Sequence, residues 1–65
     1  VSTLNETKLE ARFLMREFVT ATIKAAEDAG FTPDPKLTLS DNAVALIREG
    51  LPIAIQDPRW AKLLA

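Results

Sequence analysis

Apolar positions recur at helical spacing from Leu4 to Ala29, a stretch with no Gly and no Pro. At 100° per residue, Leu4, Ala11, Met15, Phe18, Thr22, Ala25, Ala26 and Ala29 share one broad face, with Leu14 and Val19 flanking it. Glu6, Glu10, Glu17, Lys24 and Asp28 gather on the opposite face, the expected solvent side. The pattern predicts a first helix of about 26 residues, roughly 39 Å long. Thr3 followed by Glu6 has the spacing of a capping box, and Thr7 followed by Glu10 offers a competing start. Gly30 is placed to end the helix in the left-handed turn that a residue without a Cβ adopts freely.

The segment from Phe31 to Leu39 holds Pro33 and Pro35, one residue apart, which excludes a regular helix. It reads as a stiff, extended connector whose Phe31, Leu37 and Leu39 are available to fold back on the first helix. A second helix is expected from Asp41 to Glu49, with Ser40 as N-cap and Leu39 and Val44 in staple positions. Asp41 and Arg48 suit the two ends of its dipole. Gly50 is expected to end it, with Leu51 in a capping contact on Leu46. Leu51 to Gln56 is ambiguous between a short turn started by Pro52 and an irregular packed segment. Asp57-Pro58 is a clean restart, since Asp caps well and Pro suits the first helical position. The tail from Arg59 to Ala65 should add about two turns, with Trp60, Leu63 and Leu64 on one face. The fold class is therefore all-α: one single small helical domain over residues 1–65. A long N-terminal helix leads through a proline-containing connector to two short helices folded back on it.

Composition narrows the chemistry. The 65 residues contain no Cys and no His. That excludes disulfides, thiolate nucleophiles, Cys-rich zinc sites and any Ser-His-Asp or Cys-His machinery within the chain. Eight Lys and Arg against nine Asp and Glu leave a net charge of −1, without the basic excess that nucleic-acid binding requires. The Asp41–Glu49 helix carries one basic residue and two acids, which speaks against base readout. Glu6 and Glu10 stand four apart and read as a solvated pair beside Lys8 and Arg12 rather than a shielded acid–base or metal site. Asp34, Asp41 and Asn42 lack calcium-loop spacing. No cofactor and no metal is expected. No apolar run has the length of a membrane span, and Val1 to Glu6 has no leader-like pattern, so the default compartment is cytoplasmic.

A second, narrower apolar strip breaks the simple division of the first helix. Leu9 and Phe13 lie beside Arg12, Arg16, Thr20 and Ile23 at the edge of the polar face. Either the connector or tail covers this strip, or it is a dimer seam or partner site; a ligand groove is a weaker third reading. Phe13 next to Arg12 and Arg16 has the composition of an interface centre. The candidate partner-binding residues are Leu9, Phe13, Arg16 and Trp60, Trp60 being also a natural core lid. The predicted later helices are too short to cover both strips of the first, which points to a homo-oligomer, a dimer in the simplest case. The expected function is stoichiometric binding, as a homodimeric adaptor, regulator or inhibitor of a larger protein. The rivals are a nucleic-acid-binding transcriptional regulator and an accessory subunit of a larger enzyme. No motif is specific enough to name a family.

Overall fold

The computed structural model describes residues 3–65, and among them the chain forms three helices and no strand. Helix α1 runs Thr3–Asp28, α2 runs Leu39–Ala54 and α3 runs Pro58–Ala61. The expected leader-free start falls partly on Val1 and Ser2, outside the described residues.

Helix α1 has Thr3 as its first described residue and ends as its local chemistry requires. The Thr7 hydroxyl donates to the Thr3 carbonyl at 2.7 Å, one full turn back, so Thr7 lies inside the helix and is not its start. At the other end Gly30 has φ +89°. Its N–H donates to the Glu27 carbonyl, and the Phe31 N–H reaches the Ala26 carbonyl, both at 3.0 Å. These paired bonds are a Schellman stop, and only the missing Cβ makes that backbone turn free of strain.

The connector is organised by Asp34. Its N–H donates to Asn42 Oδ1 at 2.9 Å, and its carbonyl accepts from Asn42 Nδ2 at 3.0 Å. Its carboxylate accepts from the Lys36 N–H at 2.9 Å and its carbonyl from the Leu37 N–H at 3.1 Å. The turn is thus closed locally and clamped by one amide to the first turn of α2. Phe31 is half-buried, but Leu37 and Leu39 are exposed rather than folded onto α1.

Helix α2 departs from expectation at both ends. Its N-cap is Thr38, not Ser40: the Thr38 hydroxyl accepts from the Asp41 N–H at 3.1 Å. Leu39 becomes the first helical residue and is 88% exposed, so no Leu39–Val44 staple forms. Gly50 does not end the helix, and neither Arg48 nor Leu51 marks its last turn. The helix passes through Gly50 and Pro52 to Ala54, absorbing most of the ambiguous segment. Pro52 removes the N–H that would bond the Arg48 carbonyl, a cost of about 3 kcal/mol in a helix interior. Packing outweighs it. Gly50 and Ala54, one helical turn apart, are both buried on α1.

Gly50 is the crossing point. A Cβ there would overlap the Thr22 carbonyl oxygen and come within 3.2 Å of the Ala26 Cβ. Ala43 and Leu46 border Met15 and Phe18, Gly50 meets Thr22 and Ala26, and Ile53 and Ala54 border Ala25 and Ala29. Residue numbers rise together, so α2 runs in the same direction as α1. The connector, turned at Asp34–Leu37 and stiffened by its prolines, carries the chain from the end of α1 to the start of α2. The result is elongated, 51 × 25 × 17 Å.

Helix α3 starts where predicted. The Asp57 carboxylate accepts from the Arg59 N–H at 2.9 Å, and Pro58 sits in the first turn. It is shorter than expected, however, ending at Ala61. Leu63 and Leu64 are exposed and do not join Trp60 in the core. Trp60 is 5% exposed and packs on Phe18, ring centroids 5.5 Å apart and tilted by 50°.

Two glycines separate the two kinds of constraint. Gly50→Ala should destabilise by about 1–3 kcal/mol through overpacking, although Ala is the better helix former by about 1 kcal/mol. Gly30→Ala should cost about 1–2 kcal/mol through backbone strain alone. Urea unfolding of both variants at one protein concentration checks the pair, with the Gly50 variant alone expected to rearrange the α1–α2 packing.

Candidate protein-interaction site

The core is thin. Ala26, Ala54 and Trp60 are its buried apolar residues, joined by Thr22 and Gly50. No large side chain among the described residues is fully buried. Small residues at the α1–α2 crossing let the backbones meet but contribute little apolar area. Trp60 compensates from the other side. Arg59 lies over its ring at 4.4 Å and donates to Glu17 Oε1 at 2.7 Å. Glu17, expected on the solvent face of α1, is instead half-buried under α3.

This shifts the outward face of α1. With α2 and α3 covering the arc around Leu14, Glu17, Phe18, Ala21, Thr22 and Ala25, the opposite side carries Leu9, Phe13, Arg16 and Thr20, with Ile23 at its edge nearest α2. Leu9 is 63% and Phe13 58% exposed, and Arg16 is exposed beside them. Neither the connector nor the tail covers the strip. Leu9, Phe13 and Arg16 are thus brought together on the outermost surface, while Trp60 is withdrawn from it. Its ring is spent on Phe18 and Arg59, which corrects its place among the partner-facing residues.

A second apolar surface lies between α1 and α2, a groove of about 290 Å³. Met15, Val19 and Ile23 form one wall, Ala43 and Ile47 the other, with Phe18 at its base. Of the α2 residues lining it, Ala43, Leu46 and Ile47 fall inside the helix expected from sequence, and Leu51 lies beyond the expected stop at Gly50. The signal was present: Ala43, Leu46, Ile47, Gly50, Leu51 and Ala54 keep helical spacing straight through the glycine. Two further hollows flank Trp60, of about 490 and 430 Å³, and are lined partly by charged residues such as Lys24 and Asp28.

Among the described residues no three acidic side chains come together as a metal-holding group. None of the described helices is long and apolar enough to cross a membrane. The connector between α1 and α2 spans Ala29 to Thr38, so the two helices are not joined by the tight turn of a helix-turn-helix reader. No protein-family model, curated protein or solved structure matches the chain.

The tail cluster yields a two-part prediction. Trp60→Ala should cost about 3–5 kcal/mol, the usual range for a buried aromatic. Arg59→Ala should cost less than about 1 kcal/mol, because its ion pair is partly solvated. Thermal melts at low and high salt check both, with salt affecting the unmodified chain only slightly.

Proposed function

We propose that the chain is a non-catalytic protein–protein interaction module that works by stoichiometric binding. It acts as a homodimeric adaptor, regulator or inhibitor of a larger protein, and Leu9, Phe13 and Arg16 are the target-facing contacts. The observation that carries this reading is the exposed apolar strip on the outer face of α1. An aromatic flanked by Arg12 and Arg16 on a rigid helix suits the centre of an interface, where desolvated aromatics and arginines concentrate binding energy. An accessory-subunit role would be the same act of binding, with a catalytic chain as the partner.

Surface area supports self-association. A compact chain of 7.1 kDa exposes about 4,100 Å². This one exposes 5280 Å², an excess of about 1,200 Å² over that value. Its radius of gyration is 14.4 Å, where a compact chain of this length would have about 11 Å. A standard interface buries about 800 Å² per partner, less than the excess available.

Two measurements test the reading. Sedimentation at several concentrations should give twice the chain mass at micromolar concentration; a mass near 7.1 kDa throughout would refute self-association. With the native binding protein isolated on the immobilised chain, Phe13→Ala should weaken its association by about 2 kcal/mol or more, roughly 30-fold. Circular dichroism should stay unchanged, since Ala is the best helix former. A lower melting temperature with intact binding would instead make Phe13 a stability residue.

A further inference from the structure

We infer that the hollow bordered by Arg16, Lys24 and Arg59 takes an acidic segment of the bound protein, its carboxylates on these cations and an adjoining apolar side chain on Phe13. This rests on the reading of the outer strip as the target-facing surface and names the chemistry of the target.

Charge is the first support. The hollow lies in the angle between α3 and the outer face of α1 and measures about 430 Å³. Three cations line it against one carboxylate, that of Glu17. The whole chain has eight Lys and Arg against nine Asp and Glu, so this is a local excess in a molecule that has none overall. Glu17 is already engaged, accepting from Arg59 at 2.7 Å. Asp28 pairs with Lys24 at 3.1 Å but lines the hollow on the other side of Trp60. Both members of that pair are exposed, so the bond is weak and Lys24 is available to a better-placed acid. The Arg16 guanidinium has no ion-pair partner among the described residues.

The second support is order. Arg16, Thr20 and Lys24 follow at one-turn intervals, which sets Arg16 and Lys24 about 12 Å apart along α1. Thr20 and Ala21 between them are short and form a low floor. The Thr20 hydroxyl donates to the Arg16 carbonyl at 2.9 Å, so recognition falls to the cations. Arg59 is held in advance, stacked on buried Trp60 at 4.4 Å and tied to Glu17. A guanidinium has several N–H donors and Glu17 takes one, which leaves others for an incoming carboxylate. A ligand that meets ordered side chains has less entropy to lose on binding.

The third is continuity. Phe13 stands one turn before Arg16 and Glu17, so the apolar strip runs into the hollow without a gap. A ligand that fills both carries acidic and apolar groups on one short backbone, as a peptide segment does and a free anion does not. The cations form a cluster, not a stripe, and Glu6 and Glu10 occupy the far end of the helix, which disfavours a phosphate backbone.

The probe is the synthetic peptide Ac-Glu-Glu-Leu-Glu-Leu-amide, titrated into the isotope-labelled chain and followed by NMR. The amides of Arg16, Thr20 and Lys24 and the Trp60 indole N–H should shift and saturate at millimolar peptide. Binding should weaken about tenfold between about 0.05 M and about 0.5 M salt. The same peptide with Gln for every Glu should leave these signals in place. Arg16→Gln with Lys24→Gln should weaken the acidic peptide at least about fivefold at an unchanged melting temperature, since neither side chain is in the core. Equal binding of the Gln peptide, or shifts confined to Lys8 and Arg12, would overturn the inference. Inorganic phosphate saturating the same signals as tightly would make the ligand a free anion and overturn it too. A dimer that dissociates in the double variant would give the hollow to Glu6 and Glu10 of a second copy, with the same consequence. With the native binding protein, a loss caused by Phe13→Ala and not by the double variant would overturn this inference alone. A loss caused by neither would overturn the outer-strip reading with it.

Discussion

The contact between Gly50 and the Thr22 carbonyl governs this molecule. Because residue 50 has no side chain, the α2 backbone settles directly on α1, with Ala26 and Ala54 completing the contact. That closeness holds a helix together across Gly50 and Pro52, two residues that would each favour an end. It also has a cost in area. Gly and Ala bury little apolar surface, and hydrophobic stabilisation scales with area at about 25 cal/mol per Å². The bulky apolar side chains are displaced to the rims of the contact, where Met15, Val19 and Ile47 line a groove. Among the described residues Trp60 is the one large side chain that is buried.

The direction of α2 sets the overall shape. Two helices that run the same way need a return segment, and here Ala29 to Thr38 provides it. Pro33 and Pro35 stiffen that segment around the Asp34–Leu37 turn, and the Asn42 amide on Asp34 fastens it to α2. The return stops short of the start of α1. The body then consists of α2, α3 and the C-terminal half of α1, while the N-terminal arm extends past it. A hairpin with a tight turn would have placed α2 differently and left a different part of α1 bare.

Binding in the proposed reading follows from this division of surfaces. A chain with no Cys and no His has few side chains suited to bond-making chemistry, but it has much apolar area to dispose of. The groove and the outer strip adjoin at Ile23, while Leu9, Phe13 and Arg16 lie outside the groove lining. Arg59 shows how the same residue type serves both ends. Stacked on Trp60 and paired with Glu17 it steadies the tail, whereas Arg16 beside Phe13 stays free on the outer face.

Local sequence determined the elements whose causes are local. The long first helix, the Gly30 stop, the proline connector and the Asp57-Pro58 restart all depend on interactions within one helical turn, and all four are present. The strip of Leu9, Phe13 and Arg16 could also be read from periodicity. Its exposure could not, because that depends on where α3 lies. Tertiary structure decided the rest. It chose Thr38 over Ser40 as cap, carried α2 through Gly50 and Pro52, put Glu17 under Arg59, left Leu63 and Leu64 outside, and claimed Trp60 for the core. The reason is one of magnitude. Caps and propensities contribute about 1 kcal/mol each, so they decide only where nothing larger competes. At Gly50 and Trp60 the competing contacts are with residues far away in sequence, and no local pattern records them.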